Sequence, residues 1–284
     1  MRSTKLTLLF SVMLLGACQS AITDAERQLP QDELNIMNDA DTADIMLNLA
    51  DPERAVAYFR NAVAQEPERI DLKRGLALSL AKAGKHAEAV LIYESMAEAG
   101  LLTNEDRIAM ADAYIRNGAW AEGEAQLDAI PPTFETFNRY RLEAIIADYN
   151  KEWGKADSFY DIARGLTTTP ASTLNNWGFS KQSRGDLENA EKLFRQALRS
   201  DPSLFAAKTN LVIVRAMRRE YSLPVVPMTD EERAILLYYT AREAVKLGDR
   251  DIARGLLEQA IDTHPRYFAA AVDALRALST NVGL

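Results

Sequence analysis

Residues 175–202 read "NNWGFSKQSRGDLENAEKLFRQALRSDP", a stretch that holds two helices and the turn between them. Small and apolar residues recur at helical spacing on both sides of Gly185, with Trp177 and Gly178 before it and Ala190, Phe194 and Ala197 after it, one stripe per helix. Gly185 suits the left-handed cap that ends a helix, and Pro202 cannot continue the second one. Gly178 and Ala190 are small where the two helices must cross closely, and Phe194 is placed to fill the space between neighbouring units. A single hairpin of this kind cannot bury both stripes alone, so it needs copies of itself.

The chain supplies them. "AKAGKHAEAVLIYESM" (81–96) and "IRNGAWAEGEAQLDAI" (115–130) set Gly84 and Gly118 34 residues apart. The same frame gives a unit with Ala55, Phe59, Ala62 and Pro67, one with Ala77, Ala89 and Tyr93, one with Ala111, Tyr114 and Leu127, and one with Ala144, Ala156, Tyr160 and Ala163. Unit starts fall near 36, 70, 104, 137 and 171. The pattern resembles the tetratricopeptide (TPR) repeat, from which residues 175–202 depart chiefly at Lys181, where an aromatic is usual. Thr209, Asn210 and Leu211 open a further first helix, but "REYSLPVVPM" (219–228) stands where its partner belongs, and Pro224 and Pro227 exclude a helix interior there. Thr229 with Glu232 is a capping box that restarts the helix. A unit with Ala241, Gly248, Ala253, Leu257, Ala260 and Pro265 follows, and "RYFAAAVDALRALST" (266–280) supplies a last amphipathic helix. The resemblance implies an all-α, superhelical TPR solenoid of about six helix pairs over 39–280, with an extended loop at about 220–228 and a C-terminal capping helix.

The N-terminus has another design. Arg2 and Lys5 precede an apolar run from Leu6 to Gly16, and "FSVMLLGACQS" (10–20) places Cys18, the chain's one cysteine, directly behind Gly16 and Ala17. That is the layout of an export signal, and about eleven apolar residues fall short of the roughly twenty needed to span a bilayer. Leu15 to Cys18 resembles the lipobox of bacterial lipoproteins. The resemblance implies a signal peptide over 1–17, cleavage before Cys18, and covalent diacylglycerol and N-acyl chains on that residue as the only attached groups. A lone thiol suits such a reading, because a second one risks wrong disulfides in an oxidising compartment; the alternative is a buried structural cysteine in an uncleaved terminus. Gln19 stands where lipoproteins retained at the inner membrane often carry Asp, which implies the outer membrane, periplasmic face. Residues 18–38 are mostly polar and contain Pro30; as a flexible tether they reach roughly 25 Å.

Composition narrows the function. With 48% hydrophobic and 26% charged residues the chain has material for a substantial core, and its net charge of −8 disfavours nucleic acid and anionic lipid as partners. His86 and His264 lie about five repeats apart with no cysteine beside either, which gives poor support for zinc. Glu231 with Glu232, and Asp249 with Asp251, fall at helix starts, where carboxylates favour the macrodipole. No nucleophile elbow, phosphate loop or nucleotide fingerprint occurs. The expected protein is no enzyme and holds no metal; a periplasmic hydrolase on a solenoid platform is the enzymatic alternative.

A repeat stack of this kind binds along the inner groove lined by its first helices. In this frame Arg74, Leu78, Ile108, Asp112, Arg141, Ile145, Asn176, Phe179, Asn210 and Ile213 face it. Asn176 and Asn210 hold the same place in consecutive units, and a side-chain amide can pair with any peptide backbone; capping of local backbone, or exposure to water, is the competing reading of Asn176. Within TPR lipoproteins the stretches "NNWGFSKQSRGDLENAEKLFRQAL", "LPVVPMTDEER" and "AIDTHPRYFAAAV" resemble the lipoprotein of the tight adherence (Tad, or Flp) pilus system, TadD type. That resemblance implies a pilotin-like scaffold whose protein partner is the outer-membrane secretin or another pilus assembly component. A TPR lipoprotein that serves outer-membrane protein insertion, or recruits a peptidase to cell-wall enzymes, is the alternative.

Overall fold

The structure is a computed structural model that describes residues 39–280, and among these residues it contains fourteen helices and no strand. They run α1 (Asp39–Asn48), α2 (Pro52–Gln65), α3 (Ile70–Lys82), α4 (His86–Glu98), α5 (Asn104–Arg116), α6 (Trp120–Asp128) and α7 (Phe137–Tyr149). Then come α8 (Trp153–Gly165), α9 (Ala171–Ser183), α10 (Leu187–Ser200), α11 (Phe205–Met217), α12 (Asp230–Lys246), α13 (Arg250–Thr263) and α14 (Ala269–Thr280). The proposed signal peptide (1–17), Cys18 and the tether to residue 38 lie outside the described residues. Short connections make consecutive helices antiparallel neighbours. Six pairs result, α1/α2 through α9/α10 and then α12/α13, with α11 and α14 unpaired.

One backbone device ends the first helix of each unit after the opening one. Gly84, Gly118, Lys151, Gly185, Arg219 and Gly248 all have positive φ, between 60° and 82°. The amide after each donates to the carbonyl five residues back: Lys85 to Leu80, Ala119 to Tyr114, Glu152 to Ala147, Asp186 to Lys181, Glu220 to Arg215, and Asp249 to Ala244, all at 2.8–3.0 Å. This is the Schellman closure, which satisfies carbonyls that a helix end leaves without partners. Arg219 makes it as well as the glycines do, so α11 is a normal first helix to its last residue. The departure from the repeat begins only afterwards.

Close crossings hold the stack both within a unit and between units. Within the α9/α10 pair a Cβ at Gly178 would lie 2.6 Å from the Phe194 ring, and between the first two units one at Gly75 of α3 would lie 2.3 Å from Phe59 of α2. Phe194 therefore packs inside its own hairpin as well as against Ala207 and Leu211 of the next helix. Buried residues fall into a string of clusters, each spanning a few helices, as in any stack whose units touch only their neighbours. First helices of successive units also touch directly, as in α1/α3, α3/α5, α5/α7 and α9/α11. They form the inner layer, and their exposed faces line the groove.

Residues 218–229 replace the second helix of the sixth unit. Tyr221 and Leu223 pack on the α12–α14 cluster and Val226 on the α9–α11 cluster, so this loop plugs both. Arg219 and Tyr221 donate to the Asp249 carboxylate. Asp249 was expected to favour the helix dipole; its side chain caps no amide and instead pins the loop. Thr229 and Glu232 form the expected capping box, at 3.0 and 3.1 Å. Glu232 also accepts 3.0 Å from Lys208, a buried lysine on α11.

Candidate protein-binding groove

Two recesses open along the inner face, one on each side of α7. The first, about 360 Å³, is lined by Leu78, Glu105, Ile108, Ala109, Asp112, Thr136, Asn138 and Arg141. Arg141 does face the groove, where its guanidinium pairs with Asp112 at 3.1 Å; Asp112 also holds Arg116 at 2.7 Å. The second, about 340 Å³, is lined by Trp120, Ile145, Asp148, Tyr149, Trp153, Tyr160, Asn176, Phe179, Ser180 and Ser183. Arg141 and Ile145 follow one another along one face of α7, Arg141 lining the first recess and Ile145 the second.

Sequence reasoning placed Ile145, Asn176 and Phe179 on one face, and the structure brings all three to the second recess. Phe179 is 57% exposed and Tyr149 55%, a large apolar area for a protein to leave wet at one place. Asn210 sits differently. Its Nδ2 donates 3.0 Å to Oδ1 of Asn175, one place before Asn176, so the amide pair that bridges units is Asn175–Asn210. Ile213 lies half-buried one turn further along α11, outside both recesses.

Trp120, Tyr149, Trp153 and Asp148 were not anticipated. Trp120 stacks on Tyr149 with ring centroids 4.1 Å apart and planes at 6°. Trp120 and Trp153 both open a second helix, 33 residues apart, and that repetition is the signal that could have found them. Asp148 accepts from Ser180 Oγ at 2.6 Å and from Tyr160 Oη at 2.8 Å. Burial pushes its carboxyl above the usual range, and these two hydrogen bonds oppose the rise.

Lys181, the departure from the repeat pattern, lies at the edge of this site. Its ammonium meets Asp157 of the preceding unit at 2.9 Å, and Trp177 Nε1 donates to the same carboxylate at 2.6 Å. Arg184 joins them, its guanidinium 5.4 Å from the Trp153 ring. Burial works to raise the Asp157 carboxyl, but the hydrogen bonds from Lys181, Trp177 and Arg184 outweigh it and hold the group below its ordinary value. An ion-pair hub thus stands where an aromatic is usual, beside the Tyr160–Trp177 stack that joins the same units with ring centroids 6.2 Å apart.

The two histidines lie elsewhere. His86 opens α4, and His264 Nδ1 lies 2.8 Å from the Arg266 carbonyl, with its ring near Phe268. Among the described residues no three metal-binding side chains come together.

The fold and the groove define a class, an all-α solenoid of tetratricopeptide repeats. Tetratricopeptide-repeat family models match residues 41–100, 238–279 and 171–204. Solved structures share the architecture. A chain of the APC/C hetero-tetramer Cut9–Hcn1 superposes with a TM-score of 0.59 at 13% identity over 83% of this chain, which spans 48% of that one. A tetratricopeptide repeat protein from Parabacteroides merdae gives 0.57 at 14% identity, covering 88% of this chain and 98% of its own. The C-terminal part of a TPR protein from Cytophaga hutchinsonii gives 0.53 at 15%, covering 66% and 77%. At these identities the likeness is one of fold. No curated protein sequence matches the chain.

Proposed function

We propose that this protein is a non-enzymatic scaffold whose inner groove holds an extended segment of a protein partner. The observation that carries the reading is the pair of recesses on either side of α7, which leave Phe179, Tyr149 and Leu78 exposed at 57%, 55% and 38% on the inner face. Packed helices stand about 8–10 Å apart, a span covered by about three residues of extended chain, so one peptide can fill both recesses. We assign the scaffold to the assembly of a Tad/Flp pilus secretin, held on the periplasmic face of the outer membrane by lipid on Cys18. The lipobox-like Leu15 to Cys18 supports the anchor, and the "LPVVPMTDEER" and "AIDTHPRYFAAAV" stretches support the pilus system.

Cys18→Ser should abolish labelling by radioactive palmitate; equal labelling of the variant would remove the anchor. A clean deletion should strip surface pili and reduce the secretin multimer while pilin transcript holds steady. Normal pili would dispose of the pilus assignment and favour an adaptor for outer-membrane protein insertion or a cell-wall peptidase. For the groove, Phe179→Glu should stop capture of the secretin by the full chain, whereas Leu91→Glu, at an exposed position of the outer helix α4, should not. Equal capture by both variants would place the binding surface outside the groove.

A further inference from the structure

The second recess sets a carboxylate inside an aromatic enclosure. Asp148 lines it, half-buried, beneath Trp120, Tyr149, Trp153 and Phe179. The Asp148 carboxylate accepts two hydrogen bonds, from Ser180 and Tyr160, and forms no ion pair among the described residues. Neighbouring cations are committed elsewhere: Arg184 and Lys181 hold Asp157, and Arg141 holds Asp112. A carboxylate has about four acceptor sites, of which Ser180 and Tyr160 fill two.

That arrangement is unfavourable for the free protein. An ionised group in a half-buried site costs free energy unless a counter-charge or further donors compensate, and burial already biases Asp148 toward its neutral form. A Leu or Phe anchor in the recess would deepen the burial and leave the carboxylate with no cation in contact, only the longer-range attraction of Arg184. A cation removes the problem, because the negative faces of the indole, phenol and phenyl rings attract it and the carboxylate supplies the opposite charge. Arg184 already stands over Trp153 in this manner from outside the recess.

We propose that the recess lined by Trp120, Tyr149, Phe179 and Asp148 takes an arginine or lysine side chain of the partner segment, with its stem on the aromatic faces and its charged head on Asp148. The assignment rests on the groove reading above and adds the chemistry of the residue that the groove selects. Arginine suits the site better than lysine, since its flat guanidinium stacks on a ring while its edge donates to a carboxylate.

Selection of random peptides displayed on phage against the immobilised full chain tests this. Enriched peptides should share one Arg or Lys, and the same selection on Asp148→Asn should lose that preference. Replacing that Arg by the neutral isostere citrulline should weaken binding to the unchanged protein about tenfold and make little difference to Asp148→Asn. The citrulline arm needs no variant, so a folding defect cannot mask it. Groove-binding peptides without a shared cation, or a citrulline peptide that binds equally well, would overturn the cationic assignment and leave the groove reading standing. If no peptide is enriched, or if enriched peptides bind Phe179→Glu unchanged, the groove reading fails and this assignment fails with it.

Discussion

Single residues of one type play opposite parts here, and the backbone and the space around each decide which. Gly178→Ala drives a methyl into the Phe194 ring, where a Cβ would sit at 2.6 Å; overpacking of this kind costs about 1–3 kcal/mol. Gly255→Ala, inside α13 with no heavy atom within 4 Å of the added carbon, should instead stabilise by about 0.5–1 kcal/mol through helix propensity. Urea unfolding of the two variants should move the midpoint in opposite directions; a shift of the same sign would contradict the close crossing. Lys151 and Arg219 hold the left-handed position that glycine fills in four other units. Lys151→Gly relieves that strain and should gain about 0.5–1 kcal/mol. Arg219→Gly relieves it too but loses the contact with Asp249, so its melting temperature should rise less than that of Lys151→Gly. Four of these caps are legible in the sequence as glycines. The other two are not, because an ordinary side chain can adopt left-handed φ wherever the closing hydrogen bonds compensate for the cost.

Between elements, two carboxylates near the second recess carry opposite electrostatic loads. Asp157 joins α8 to α9 through Lys181, Trp177 and Arg184. Asp157→Asn leaves Arg184 without its counter-charge and Lys181 with only Asp186, at 3.6 Å, and should cost about 1–3 kcal/mol. The Asp157 carboxyl is held below its unfolded value of 3.8, so its contribution is present above 3.8 and is lost as pH falls through the folded value. The stability gap between the unchanged protein and Asp157→Asn should therefore close in acid. Asp148 runs the other way. Its folded value is raised above 3.8, so its contribution is full below 3.8 and is lost as pH rises through the raised value. Asp148→Asn should accordingly melt no lower than the unchanged protein at pH 7, and any advantage should vanish below 3.8. A clear drop in melting temperature at pH 7 would mean that Asp148 is a structural group. Neither load is legible in the sequence, since positions 148 and 157 read only as an acid ending one helix and an acid in the next.

Across the whole molecule α1 to α11 and α12 to α14 join where α11 packs directly on α12, with the plug of residues 218–229 and the Lys208–Glu232 pair beside that contact. Because each unit contacts only its neighbours, damage at one end should stay local. Deleting residues 266–284 removes the helix that covers Leu256 and Leu257. Amide exchange should then accelerate in α12 and α13 while α7 to α10 keep their protection; uniform acceleration would show one cooperative body instead. The sequence by itself determined the helical pairs, the inner position of the first helices, the break after α11 and its restart at Thr229, because these follow from local stripes, caps and prolines that act within about 34 residues. Only the tertiary structure decided which groove residues meet. The Trp120, Tyr149 and Phe179 rings come from three successive units, and Asn210 reaches Asn175 instead of standing free. Such meetings depend on the rotation from one unit to the next, which is the summed result of side-chain packing at every interface and leaves no mark at any single position.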